Sequence, residues 1–160
     1  MKALVIYYTR TGNTKFVAEK IAQELGADIE EVIDKKNRSG PIGWLSAGKD
    51  AMSRSQTEIA ETNKKPSEYD LIIVGTPNWA SKPSPAIRTY LSKYDLTGKK
   101  VATFCITDGL ESGEKVIEEM KMIIPKSEST EHLVVPNPAK NKVDAENKIS
   151  EWCTRLKLPQ

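Results

Sequence analysis

Short apolar runs alternate along this chain with longer segments in which apolar residues recur every three or four positions. The runs at 3–8, 28–33, 71–75, 101–106 and 132–135 read as strands. The first, third and fourth are continuously apolar, as strands covered on both faces should be, so they are expected at the centre of a sheet. Residues 13–25 carry Val17, Ala18, Ile21, Ala22 and Leu25 on one helical stripe, and Gly26 follows as a stop. A second helix opens with Ser84 as cap and Pro85 in its first turn, burying Ile87 and Leu91. A third places Val116, Ile117 and Met120 on one face, and a last one, about 144–158, lines up Ala145, Ile149, Trp152, Cys153 and Leu156. Trp152 is therefore expected in the core. The longer connection 34–67 holds a turn-like Arg38-Ser39-Gly40-Pro41, a crossover helix near 44–53 and a solvated turn at 64–67. Strands alternating with helices in this way imply an α/β, doubly wound parallel sheet with helices on both faces.

Composition narrows the function classes. At 160 residues and 38% hydrophobic content the chain suits a single domain, 1–160, with a sizeable core. Its 24 basic and 22 acidic residues are interspersed and leave a net charge of +2, which gives no electrostatic footprint for nucleic acid. The apolar run at the N-terminus lacks a small-residue cleavage site, and no segment approaches the roughly 18 apolar residues of a membrane span. A soluble, cytoplasmic protein with neither nucleic acid nor membrane as partner is expected. Cys105 lies in a strand-like run, Cys153 on a helical apolar face, and His132 is the single histidine. The two cysteines read as small buried hydrophobes, and no metal site is expected.

The chemistry gathers in the loops after the first, third and fourth strands. Thr9-Arg10-Thr11-Gly12-Asn13-Thr14 stands at a strand-to-helix turn, where unpaired N–H groups, a helix dipole and a glycine suit a phosphate. It lacks both the Gly-Lys-Ser/Thr of a Walker loop and the three-glycine dinucleotide fingerprint; alone, it also reads as a plain capped turn. The second loop, Thr76-Pro77-Asn78-Trp79-Ala80-Ser81, sets an indole among stiffening prolines, either as a stacking platform or as a plug folded onto the core. The third, Thr107-Asp108-Gly109, offers small and polar residues that let backbone approach a flat ligand. All three should meet at the carboxyl edge of the sheet.

With these residues in place the sequence resembles the flavodoxin family over nearly its whole length. The family's Thr/Ser-x-Thr-Gly-x-Thr pattern is matched by Thr9, Thr11, Gly12 and Thr14, Gly75-Thr76-Pro77-Asn78-Trp79 is similar to its second loop, and Gly40-Pro41-Ile42-Gly43-Trp44-Leu45 to a helix entry of one branch. The resemblance implies five parallel strands in the order 2-1-3-4-5 and bound FMN. Residues 9–14 would hold the phosphate, while Thr76, Pro77, Asn78, Trp79 and Ala80, with Thr107, Asp108 and Gly109, would flank the ring. It further implies a monomeric, low-potential electron carrier for redox partner proteins, with a flavin-dependent NAD(P)H or quinone oxidoreductase as the alternative, in which Arg10 or Lys82 would recruit an anionic substrate. Two departures stand out: the third loop has no tyrosine to stack on the outer ring face, and the chain is near neutral where typical flavodoxins are acidic. The family often has glycine near Ala80 and Ser81. A Cβ there resists positive φ, so a turn of that kind should cost about 1 kcal/mol more than with glycine.

Overall fold

The apolar runs do form the middle of a sheet. In the computed structural model, which describes residues 1–157, the strands are β1 (Ala3–Tyr7), β2 (Asp28–Glu31), β3 (Leu71–Pro77), β4 (Lys100–Thr107) and β5 (Glu128–Pro136). All are parallel, in the order β2-β1-β3-β4-β5, so the three continuously apolar strands are central. The helices are α1 (Asn13–Leu25), α2 (Gly40–Met52), α3 (Pro85–Lys93), α4 (Leu110–Ile123) and α5 (Lys142–Lys157). One core contains Val17, Ile21, Phe104 and Trp152 beneath α1 and α5, and the other contains Ile72, Ile87, Tyr90, Val116 and Met120 beneath α3 and α4. The fold is a flavodoxin-like doubly wound α/β sheet.

Some boundaries move, for physical reasons. β5 begins at Glu128, earlier than its apolar segment, because an edge strand pairs through its backbone while Glu128 and Ser129 stay exposed. β3 continues through Thr76 and Pro77, which pair with Cys105 and Ile106, and β4 includes Thr107; these three are strand-end residues, not loop residues. The turn expected at 38–41 is in part the start of α2, with Pro41 in its first turn. Pro66 is buried within a short 3₁₀ turn where a solvated stretch was expected. The expected end of the last helix at Leu158 lies outside the described residues.

One glycine is fixed by close approach. A Cβ on Gly75 would stand 1.9 Å from Cζ of the buried Phe104 ring on the neighbouring strand. Both cysteines are buried, and burial pushes both thiols up, that of Cys153 to about 12. No helix among the described residues is long and apolar enough to cross a membrane.

Candidate functional site

At the end of β1 the chain turns sharply into α1. Gly12 caps the helix with φ of 97°, a conformation that favours glycine, and its N–H donates to Thr9 Oγ1 at 3.0 Å. The N–H groups of the first helical turn have no intrahelical acceptors, so they form a ready cradle for an anion. Thr11 is exposed and Thr14 buried, and both line the cleft that opens there, together with Arg10 and Asn13. Thr9 holds the turn and faces a neighbouring cavity. Arg10 is a strap: its Nε donates to the Arg38 carbonyl at 2.8 Å and its Nη2 to the Gly40 carbonyl at 3.2 Å.

The second wall follows β3. Trp79 is half-buried, packs edge-on against Tyr8 at a centroid distance of 5.4 Å, and lines the cleft. It packs against the core and also faces the cleft. Burial, with the charge of Asp34 beside it, pushes the Tyr8 hydroxyl up to about 12, so this support stays neutral. Trp79 and Lys82 exchange two backbone hydrogen bonds of 3.0 Å around Ala80 and Ser81, whose φ values are 53° and 62°. Both residues thus adopt the positive φ that a Cβ resists, at about 1–2 kcal/mol each. The turn is held from outside: Asn78 Oδ1 accepts from Ser81 N–H at 2.8 Å, and Lys82 Nζ lies 3.2 Å from Glu119. Asn78 also donates to Thr107 Oγ1 and Ser112 Oγ, both at 2.9 Å, which locks the second loop to the third.

Thr76 is brought close to the site without facing it. It is fully buried, and its Oγ1 accepts from Ser84 N–H at 3.0 Å. Pro77, Asn78, Ala80, Thr107 and Asp108 line the cleft, whereas Gly109 caps α4 behind it and receives the Thr107 hydroxyl on its carbonyl. The third loop therefore brings Asp108 to the cleft and has no aromatic side chain.

The cleft has a volume of about 960 Å³ and several residues that sequence reasoning missed. Trp44, Leu45 and Met52 line it from α2, and Asn137 and Pro138 line it from the end of β5. Asn137 has φ of 42° between two prolines, a break that Pro-Asn-Pro signalled in the sequence. Helix α2 is tied down by charge. Arg38, whose side chain is 3% exposed, pairs with Asp34 at 3.1 Å and Asp50 at 2.5 Å, and its guanidinium carbon lies 6.0 Å from the Trp79 ring centre. Beyond its far end, Arg54 reaches Glu119, which also receives Arg88 and Lys82. Burial opposes ionisation of Glu119, and the hydrogen bonds from these three cations overcome it, holding its carboxyl down at about 2. Among the described residues no cluster of His, Cys, Asp and Glu could hold a metal ion.

A donor-rich helix terminus opening directly into an apolar, aromatic-walled cleft fits a flat group that carries a phosphate. A family model described as flavodoxin matches residues 2–156. The chain belongs to the flavodoxin family. The flavodoxin fold is also found in similar solved structures. A candidate flavoprotein from Bacteroides uniformis has a TM-score of 0.80 at 21% identity, covering 96% of this chain and 97% of its own. A flavoprotein from Lactobacillus acidophilus in complex with FMN has a TM-score of 0.73 at 23% identity, covering 88% and 97%. The Trp repressor binding protein of Bacillus subtilis has a TM-score of 0.67 at 14% identity, covering 99% and 100%. No match is found among curated proteins.

Proposed function

We propose that this flavodoxin binds FMN non-covalently in the cleft and serves as a monomeric, low-potential one-electron carrier between redox proteins. The observation that carries this reading is the continuity of one cleft from the α1 cradle, with Thr11 and Thr14, to the Trp79 wall. The Lactobacillus flavoprotein, solved with FMN, supports the choice of cofactor. When bound, the flavin supplies the redox chemistry. The protein's part is to anchor the phosphate on α1, to exclude water with Trp79, and to hold the strained Ala80-Ser81 turn beside the ring. By keeping a phosphate in the same cleft as the ring, the cradle disfavours added negative charge there and lowers the potential. With a net charge of +2, the chain lacks the overall negative charge that would steer strongly basic partners to it.

A second reading, a flavin-dependent NAD(P)H or quinone oxidoreductase, is favoured by the cleft volume of about 960 Å³. That lies near the top of the roughly 300–1,000 Å³ spanned by small-molecule sites, which leaves room beside a flavin. Its expected substrate recruiters are otherwise engaged: Arg10 straps backbone carbonyls and Lys82 pairs with Glu119. Stepwise anaerobic reduction of the FMN-loaded protein, followed by visible spectroscopy, separates the two. The carrier is expected to accumulate a one-electron-reduced form. Direct passage to the two-electron level, with rapid NADH or NADPH oxidation when a quinone is added, would replace the carrier with the reductase.

A further inference from the structure

We propose that α2 is the second wall of the ring site: Trp44, with Leu45 and Met52, covers the flavin face that Trp79 leaves open, and Gly48 is the notch that admits the ring. The proposal rests on FMN occupying the cleft. Helix α2 is built with its large side chains turned away from the protein. Gly43, Ala47 and Ala51, one stripe at four-residue spacing, are buried, whereas Trp44 is 64%, Leu45 64% and Met52 66% exposed. A stripe of small residues facing inward lets the helix pack closely, and a Cβ on Gly43 would meet the Arg38 carbonyl carbon at 2.2 Å. Large apolar side chains left outside on a cleft wall mark a surface for a ligand or a partner.

The occupant follows from the cleft itself. Trp44, Leu45 and Met52 line the same cleft as Thr11, Thr14 and Trp79, so a ligand anchored by its phosphate at the cradle has α2 within the same cavity. The third loop cannot take this role. Thr107, Asp108 and Gly109 include no aromatic or large apolar side chain to lie flat on a ring face. Gly48 is the independent sign. It lies between Trp44 and Met52 on one helical stripe, lines the cleft, and a Cβ there would meet nothing within 4 Å. Packing does not require glycine at this helix-interior position, where glycine weakens the helix relative to alanine. The missing side chain leaves a recess in the wall between Trp44 and Met52, which lets a flat ring come close to the helix backbone.

The test is titration of the protein and its variants with FMN, read by flavin and tryptophan fluorescence, with circular dichroism and thermal unfolding as fold controls. Trp44→Ala is expected to raise the Kd for FMN roughly 3- to 10-fold and to raise it for riboflavin by the same factor, because the lost contact is to the ring. Fluorescence of the bound flavin should rise as a quenching neighbour is removed. Gly48→Ala should melt at a higher temperature than the native protein, and Gly48→Leu should fold normally and bind FMN at least 10-fold more weakly. An unchanged Kd and unchanged flavin fluorescence in Trp44→Ala, or full affinity in Gly48→Leu, would overturn the proposal and make α2 a surface for a partner or substrate. Failure of the native protein to bind FMN at all would instead overturn the cofactor reading, and this wall with it.

Discussion

Replacing Thr11 and Thr14 together by valine is expected to weaken FMN binding by about 100-fold or more while leaving the apoprotein folded. Hydrogen bonds to a charged group contribute roughly 1.5–3 kcal/mol each, and two of them are removed. Valine is the right replacement because Thr14 is buried, so its β-branched shape must be kept while its hydroxyl is lost. The backbone cradle stays intact, since Gly12 still takes its φ of 97° and its N–H still reaches Thr9. Some affinity should therefore survive. Fluorescence titration at fixed ionic strength measures the change, and a loss smaller than threefold would mean that the hydroxyls do not touch the phosphate.

Removing Arg38 should have the largest effect on stability. Arg38→Met leaves the Asp34 carboxylate, whose side chain is 3% exposed, without its cation and with only the Lys36 N–H and the Thr57 hydroxyl as donors, and takes one of two cationic partners from Asp50. Breaking a buried ion pair from one side costs about 3–5 kcal/mol, a large share of the roughly 5–15 kcal/mol that holds a domain together. Urea unfolding of the apoprotein should show that loss, and the melting temperature should fall by on the order of 10 °C. Arg38→Lys should restore only part of it, because one ammonium cannot reproduce the fork that meets both carboxylates. Arg38→Met combined with Asp34→Asn should recover more, since it removes the uncompensated charge and keeps an oxygen that accepts from the Lys36 N–H and the Thr57 hydroxyl, and Nη2 of Arg38 is itself buried without a partner. A loss under 1 kcal/mol in Arg38→Met would show that water screens the cluster.

The fold was legible in the sequence because its central strands are continuous apolar runs and its helices carry clear stripes, with Gly26 and Ser84 as recognisable ends. The edges were less legible. β5 recruits Glu128 and Ser129 through backbone pairing alone, which side-chain pattern cannot reveal. In the site, the α1 cradle and Trp79 could be read from local spacing. Helix α2 could not, because its small buried residues and large exposed ones reverse the usual pattern; Trp44 reads as an ordinary helical tryptophan until its exposure is known. The ionic hub at Glu119 gathers Arg54, Lys82 and Arg88 from separate segments, and nothing in the spacing of one chain brings those residues together.

The central claim is that the cleft holds FMN by its phosphate at the N-terminus of α1 and by its ring against Trp79. The measurement that tests it most directly is a comparison of FMN and riboflavin binding to the unaltered protein under the same conditions. These ligands share the ring and differ in the phosphate. The account predicts that FMN binds tighter by at least about 100-fold, because a dianion meets a helix N-terminus and charge-assisted donors that riboflavin cannot use. Equal affinity for the two would contradict it.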